Sequence, residues 1–257
     1  MAARAPLACK VCGAPAPFWG ACDFNTHCRL PDQPRLLPAS GVEVPYHRCG
    51  NCGFAFTAFM DGFTSADFRE RVYNQDYRLI DPDFEAERPA ALAGQLLGLL
   101  GDVPVRVCDY GGGSGSLARH VNSAGRALRA VTWDPFFDAQ PRPAGPFELV
   151  VSFETFEHAI DPSATLADML SLTDENRLIL MSTLCQPAGI DALGTDWWYC
   201  APRNGHVSLH TRQSLDRLAD DAGIGVVHMS DLMHLFHDAL PPWIEKAIFG
   251  SGRFEGP

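Results

Sequence analysis

One segment restricts the fold of this chain more than any other: Val105-Arg-Val-Cys-Asp-Tyr-Gly-Gly-Gly-Ser-Gly115. Val105–Asp109 has the composition of a buried strand. Glycines at 111, 112, 113 and 115 then let the backbone turn sharply and approach a ligand closely. A helix opens at Ser116, and its first turn offers unpaired N–H groups and partial positive charge. Strand, glycine turn and helix in that order open a cofactor-binding α/β unit. The glycine pattern alone serves several cofactors, so its surroundings must choose between them.

From Val103 onward, short apolar strands alternate with helices, the pattern of a parallel α/β sheet. The strands expected are Val105–Asp109, Ala127–Trp133, Leu149–Phe153, Leu178–Leu184, Ile224–Met229 and Leu232–Phe236. Helices are expected over Ser116–Ser123, Pro162–Leu172 and Thr211–Ala222. Only a turn separates the last two strands, which predicts an antiparallel closing strand. Upstream, Ser65-Ala66-Asp67 can start one helix, and Asp83 can cap a second that runs through Ala90–Leu100 and stops at Gly101. Pro89 falls near its first turn. Two acids favour adenosylmethionine over NAD. Asp109 ends the strand before the glycines, and Asp134 follows the next strand, where a carboxylate can accept both ribose hydroxyls.

These segments resemble the class I S-adenosylmethionine-dependent methyltransferases. Asp109-Tyr-Gly-Gly-Gly-Ser-Gly115 matches the family's first motif, and Asp134 its acidic ribose position. Phe147-Glu-Leu-Val-Val-Ser-Phe-Glu-Thr-Phe-Glu-His158 is similar to its fourth strand and following loop, where Glu-His is frequent. The resemblance implies a Rossmann-like methyltransferase sheet. It places Asp109, Gly111, Gly112, Gly113, Gly115, Asp134 and Glu154 at the cofactor. Tyr73-Asn-Gln-Asp-Tyr77 lies where the family folds a lid, which adds Tyr77 to that set. One departure stands out. Residues 135–146 contain Pro135, Pro141, Pro143 and Pro146, leaving little room for a helix and a third strand. That unit is expected to be missing or reduced, and the family's adenine position there cannot be carried over.

Six of nine cysteines fall within the first 52 residues. Cys9-x-x-Cys12 and Cys49-x-x-Cys52 have the paired spacing of a four-thiolate zinc ribbon, and a glycine follows each pair. The long interval between the pairs requires an insertion. Four thiolates close the coordination shell, so this zinc is structural and not catalytic. Cys22, His27, Cys28 and His47 form a less favoured second ligand set. A zinc module ahead of this catalytic fold is similar to the sugar C-methyltransferases, whose second knuckle Tyr46-His-Arg-Cys-Gly-Asn-Cys-Gly-Phe54 resembles. Those enzymes usually carry a further C-terminal domain beyond the position of Pro257.

Methyl transfer depends on alignment of the acceptor with the sulfonium methyl, and an oxygen or carbon acceptor also needs a base. Loops beyond the carboxyl ends of the strands build the crevice of an open α/β sheet. His158 follows the fourth strand and His206 the fifth, so they lead as base candidates, with Glu157 and Tyr199 behind them. Arg203 and His210 are further candidate substrate contacts. His228, His234 and His237 receive no role.

A net charge of −11 argues against a nucleic-acid partner, which needs clustered Lys and Arg. No run of apolar residues is long enough to span a membrane, and Met1–Gly13 lacks a signal peptide's apolar core. The sequence therefore predicts a cytoplasmic α/β enzyme with a zinc-ribbon-like module at 1–62, a helical lid or linker at 63–102 and a methyltransferase domain at 103–257. It would use S-adenosylmethionine to methylate a small polar metabolite, such as a sugar-derived intermediate. The alternatives are an NAD-dependent oxidoreductase and a non-catalytic zinc-stabilised binding protein.

Overall fold

The structure, a computed structural model, describes residues 4–29, 32–137 and 141–250. Its strands in chain order are β1 (Leu7–Ala8), β2 (Pro15–Ala16), β3 (Phe18–Asp23), β4 (Glu43–Arg48), β5 (Ala55–Phe56), β6 (Arg106–Tyr110), β7 (Arg129–Trp133), β8 (Leu149–Phe153), β9 (Ile179–Ser182), β10 (Ser208–Leu209), β11 (Gly225–His228) and β12 (Met233–His237). The helices are α1 (Ser65–Arg71), α2 (Tyr77–Ile80), α3 (Glu87–Leu100), α4 (Ser116–Ser123), α5 (Pro162–Leu170), α6 (Ile190–Leu193), α7 (Arg212–Ala222) and α8 (Pro242–Phe249). The chain divides into two compact units. One comprises residues 1–82, 156–165 and 183–218; the other comprises 83–155, 166–182 and 219–257.

The second unit holds a six-stranded sheet in the order β11-β12-β9-β8-β6-β7. β7, β6, β8 and β9 run parallel, and β12 and β11 close the far side antiparallel. Val107, Leu149, Val151, Leu180 and Leu235 fill its core with Leu96 and Leu100 of α3, Leu117 and Val121 of α4, and Ile244 and Ile248 of α8. Truncating one of these, such as Leu149, to alanine would cost about 2–5 kcal/mol. Strand and helix positions agree with the sequence reading to within one or two residues. The exception is α3, which begins at Glu87 and not beside Asp83. Its Pro89 sits in the first turn, where a missing N–H breaks no intrahelical bond.

The third strand of the standard sheet does not occur among the described residues. Phe147 makes only an isolated bridge to Thr173 before β8 begins. Prolines at 135, 141, 143 and 146 supply no ladder donors, which suits a loop. β7 is consequently an edge strand. Its alternation puts Ala130 and Thr132 inside and leaves Val131 43% exposed.

In the first unit, β1 and β2 pair, and a second antiparallel sheet runs β10-β5-β4-β3. The insertion between the cysteine pairs contains the β3–β4 hairpin, with a register shift between Phe18 and Gly20. β10, far away in sequence, extends the sheet by pairing Ser208 with Phe56 and Leu209 with Ala55. Thr64 and Asp67 form a reciprocal capping box at the start of α1. No helix among the described residues is long and apolar enough to cross a membrane.

Candidate functional site

The four paired cysteines converge. Cys9 Sγ lies 3.7 Å from Cys52 Sγ, and Cys12 Sγ lies 3.5 Å from Cys49 Sγ. All four sulfurs fall within 4.8 Å of one another. A tetrahedron with Zn–S bonds of about 2.3 Å requires sulfurs about 3.8 Å apart, so the set fits zinc. The two knuckles repeat one backbone device. Gly13 N donates to Cys9 O and Gly53 N to Cys49 O, with glycine φ values of 71° and 72°. A left-handed residue closes each turn and aims both sulfurs of its pair at the same point. Hydrogen bonding from Cys52 lowers the pKa of the Cys9 thiol and raises that of Cys52 in turn, so the first thiolate of the cluster forms on Cys9. Cys22, His27, Cys28 and His47 are not grouped in this way. His27 Nδ1 bonds Asn25 O and His47 Nδ1 bonds Ala16 O.

In the second unit, β6 delivers Asp109 to the glycine turn. Gly111, Gly113 and Gly115 have φ values of 76°, 53° and 80°. Space is as restrictive as conformation. A Cβ at Gly111 would lie 2.3 Å from Thr155 Cγ2, and one at Gly112 would lie 2.0 Å from Asp109 Oδ2. Asp109 is 3% exposed and accepts a hydrogen bond from Thr132 Oγ1 at 3.0 Å. Burial pushes its carboxyl up to about 7, opposed by that hydroxyl and assisted by the charge of Asp134. Asp134 accepts from Gly113 N at 2.9 Å and Phe136 N at 2.8 Å, so it stands at the turn where the sequence placed it.

Glu154 ends β8 with φ at 51°, a conformation disfavoured for a residue with a side chain. Ser182 at the end of β9 holds it there. The Ser182 hydroxyl accepts from Glu154 N and donates to Glu154 Oε1, both at 2.8 Å. Such strain is retained where surrounding structure enforces it, often at functional sites. Ser182, Thr132 and Thr155 were missed in the sequence reading. A buried polar residue in an otherwise apolar strand was the available signal for the first two.

In the first unit, one potential ligand atom each from Glu157, His158 and His206 falls within 4.8 Å of the others. Glu157 is fully buried and His206 is 5% exposed. His158 Nδ1 bonds Gly205 O at 3.1 Å and lies 3.3 Å from the Tyr73 hydroxyl. His206 Nδ1 bonds Tyr199 O at 3.0 Å, and its ring meets the Tyr199 ring edge-on at 4.3 Å. The two histidine rings are 5.1 Å apart. Tyr199 is buried with its hydroxyl 3.4 Å from Leu184 N. Tyr77 is buried too; its hydroxyl donates to Asp81 Oδ2 at 3.4 Å and its ring packs on Tyr73.

Arg203 and His210 occupy structural positions. The Arg203 guanidinium bonds Val72 O and Asn74 Oδ1, tying down the end of α1. His210 stacks on Phe156 at 4.8 Å and packs against Phe54. In the second unit, His228 Nδ1 lies 2.9 Å from His234 Nδ1 across the closing hairpin.

Comparison with known proteins agrees with this geometry. A family described as a methyltransferase domain matches residues 77–229. No curated protein matches the chain. An O-methyltransferase family protein from Burkholderia thailandensis superposes with a TM-score of 0.51 at 15% identity, over 68% of this chain and 62% of that one. CalO1, a methyltransferase in calicheamicin biosynthesis solved with SAH, gives 0.46 at 19% identity, over 71% and 63%. Human N-acetylserotonin methyltransferase in complex with SAM gives 0.42 at 14% identity, over 69% and 63%. The chain thus spans about three fifths of the length of these structures. With its Rossmann-like sheet, its glycine turn and more than half its length matched, the chain belongs to the methyltransferase-domain family.

Proposed function

We propose that this protein transfers the methyl group of S-adenosylmethionine to a hydroxyl of a small polar molecule. The observation that carries the reading is the glycine turn, closed to any side chain at Gly111 and Gly112 and joined by the Asp134 carboxylate, in a chain of this family. The side-chain-free turn at Gly111 and Gly112 would let the methionine part approach the backbone closely, and Asp134, held by Gly113 N, would accept the ribose hydroxyls. Asp109 would support the turn, and Glu154 completes the cofactor set of this unit.

S-adenosylmethionine supplies an electrophilic methyl, and the electron pair of the broken C–S bond stays on sulfur. The chain's own task is to orient the acceptor and take its proton. Both His158 and His206 commit Nδ1 to a backbone carbonyl, so each neutral ring carries its basic lone pair on Nε2. We assign proton removal to His206, with His158 beside it, Glu157 stabilising the charged ring and Tyr199 fixing its plane. The acceptor can be sugar-derived. Zinc at Cys9, Cys12, Cys49 and Cys52 would be structural, and thiols in such number suit the cytoplasm.

Titration calorimetry with S-adenosylmethionine, its demethylated product and NAD tests the cofactor. Tighter binding of NAD would overturn this reading in favour of an oxidoreductase. Asp134→Ala should weaken S-adenosylmethionine about tenfold or more, because the ribose loses a charged acceptor. Transfer of labelled methyl to fractionated metabolites then identifies the acceptor.

A further inference from the structure

The Glu157–His158–His206 cluster has the composition of a metal centre as well as that of an acid–base site. Three observations bear on it. One ligand atom from each residue lies within 4.8 Å of the other two, so a small side-chain adjustment brings all three to the separations of about 3–4 Å that one ion with bonds near 2.1 Å requires. Both imidazoles bond a backbone carbonyl through Nδ1, Gly205 O and Tyr199 O, the kind of outer hydrogen bond that orients metal-bound histidines. The carboxylate is fully buried, where a charge is tolerated only with compensating positive charge.

We propose that Glu157, His158 and His206 form a second metal site, distinct from the cysteine cluster, that binds one divalent first-row transition metal ion. Two histidines and one carboxylate on one side of an ion leave coordination positions open, whereas four thiolates leave none. The open positions suit oxygen donors. An ion there would make a coordinated hydroxyl more acidic, its proton passing to solvent while the histidines serve as ligands; without the ion the imidazole keeps the task given to it above. This last role rests on the methyl-transfer reading; the binding of the ion does not.

The probe is Co²⁺ added to full-length protein whose cysteine cluster is already filled with zinc. The expected result is one further equivalent with weak d–d absorption and no thiolate-to-cobalt charge-transfer band. Glu157→Gln, which keeps the side chain's shape, and His158→Ala, at a half-buried position, should each weaken Co²⁺ by about 10–100-fold or more. Both should keep the cysteine-bound zinc and the parent melting temperature. No cobalt beyond the zinc already present would overturn the proposal, as would affinity unchanged in both variants. A charge-transfer band would equally overturn it, because cysteine would then be the ligand. S-adenosylmethionine binding measured on the same samples separates the two readings: its absence would sink methyl transfer and leave the metal site standing.

Discussion

The two ligand-bearing turns of this chain use left-handed glycines for opposite ends. In the cysteine knuckles, Gly13 and Gly53 close a turn whose working atoms are side-chain sulfurs. At the cofactor turn, Gly111 and Gly112 clear side chains away so that the backbone itself can work. Gly13 has open space around its missing Cβ, whereas Gly111 has Thr155 against it. The first knuckle therefore needs only the backbone conformation, whereas at Gly53 a Cβ would also lie 2.9 Å from Thr211 Cγ2. The cofactor turn needs the conformation and the emptiness. The third constellation, Glu157–His158–His206, has its own left-handed glycine, Gly205 with φ at 91°, whose carbonyl meets His158 Nδ1 and where a Cβ would lie 3.0 Å from that nitrogen.

The largest expected effect breaks the knuckle. Cys49→Ser should lose the cysteine-bound zinc and unfold the first unit, because structural zinc contributes about 10–16 kcal/mol of apparent binding free energy in isolated fingers. Elemental analysis together with circular dichroism checks this; retained zinc and fold would mean that the cluster is not a four-thiolate site.

The histidine cluster comes next. His206→Asn should lower turnover by about 10²–10⁴-fold while S-adenosylmethionine affinity stays nearly constant, as expected for a group that faces the acceptor. His158→Asn is the comparison. If it alone loses cofactor affinity, His158 belongs to the loop over the cofactor, and full turnover in both variants would remove the pair from the chemistry.

A smaller effect sharpens the contrast between the glycines. Gly13→Ala should cost about 1–2 kcal/mol, the strain of a left-handed alanine. Gly111→Ala should cost clearly more, since Thr155 must also move from 2.3 Å. Equal losses in chemical denaturation would show that space at Gly111 has no energetic weight.

The last effect is a pH slope. Asp109 is raised from 3.8 to about 7 by burial, so folding favours its protonated form. Its contribution to stability is fully present below the unfolded pKa, near 4, and is lost as pH rises through about 7. Asp109→Asn should flatten the stability profile across that window; an unchanged slope in melting temperature between pH 4 and 8 would assign the titration elsewhere.

Much was legible in the sequence where the determinants are local. The bounds of β8 and α4 follow from an apolar run and a helix start, each set by neighbouring residues. The glycine turn and Asp134 were also legible, because a strand must end in a turn before the helix can begin. So was the lack of a third strand among the described residues, since prolines within residues 135–146 deny a ladder its donors. The convergence of the paired cysteines was legible through spacing alone. The start of α3 was misplaced because Asp83 offers a capping side chain, yet the helix begins only at Glu87.

What sequence by itself determined, then, is the sheet, the turn and the four sulfurs, because contacts within a few residues specify each. Tertiary structure decided the rest. Only folding paired β10 with β5, set Ser182 under Glu154 and put the Glu157 carboxylate within reach of His206, 49 positions along the chain. It also turned the Arg203 guanidinium onto Val72 O and Asn74 Oδ1 and stacked His210 on Phe156. Spacing along the chain says nothing about such pairs, because their proximity is a property of packed surfaces and not of local backbone conformation.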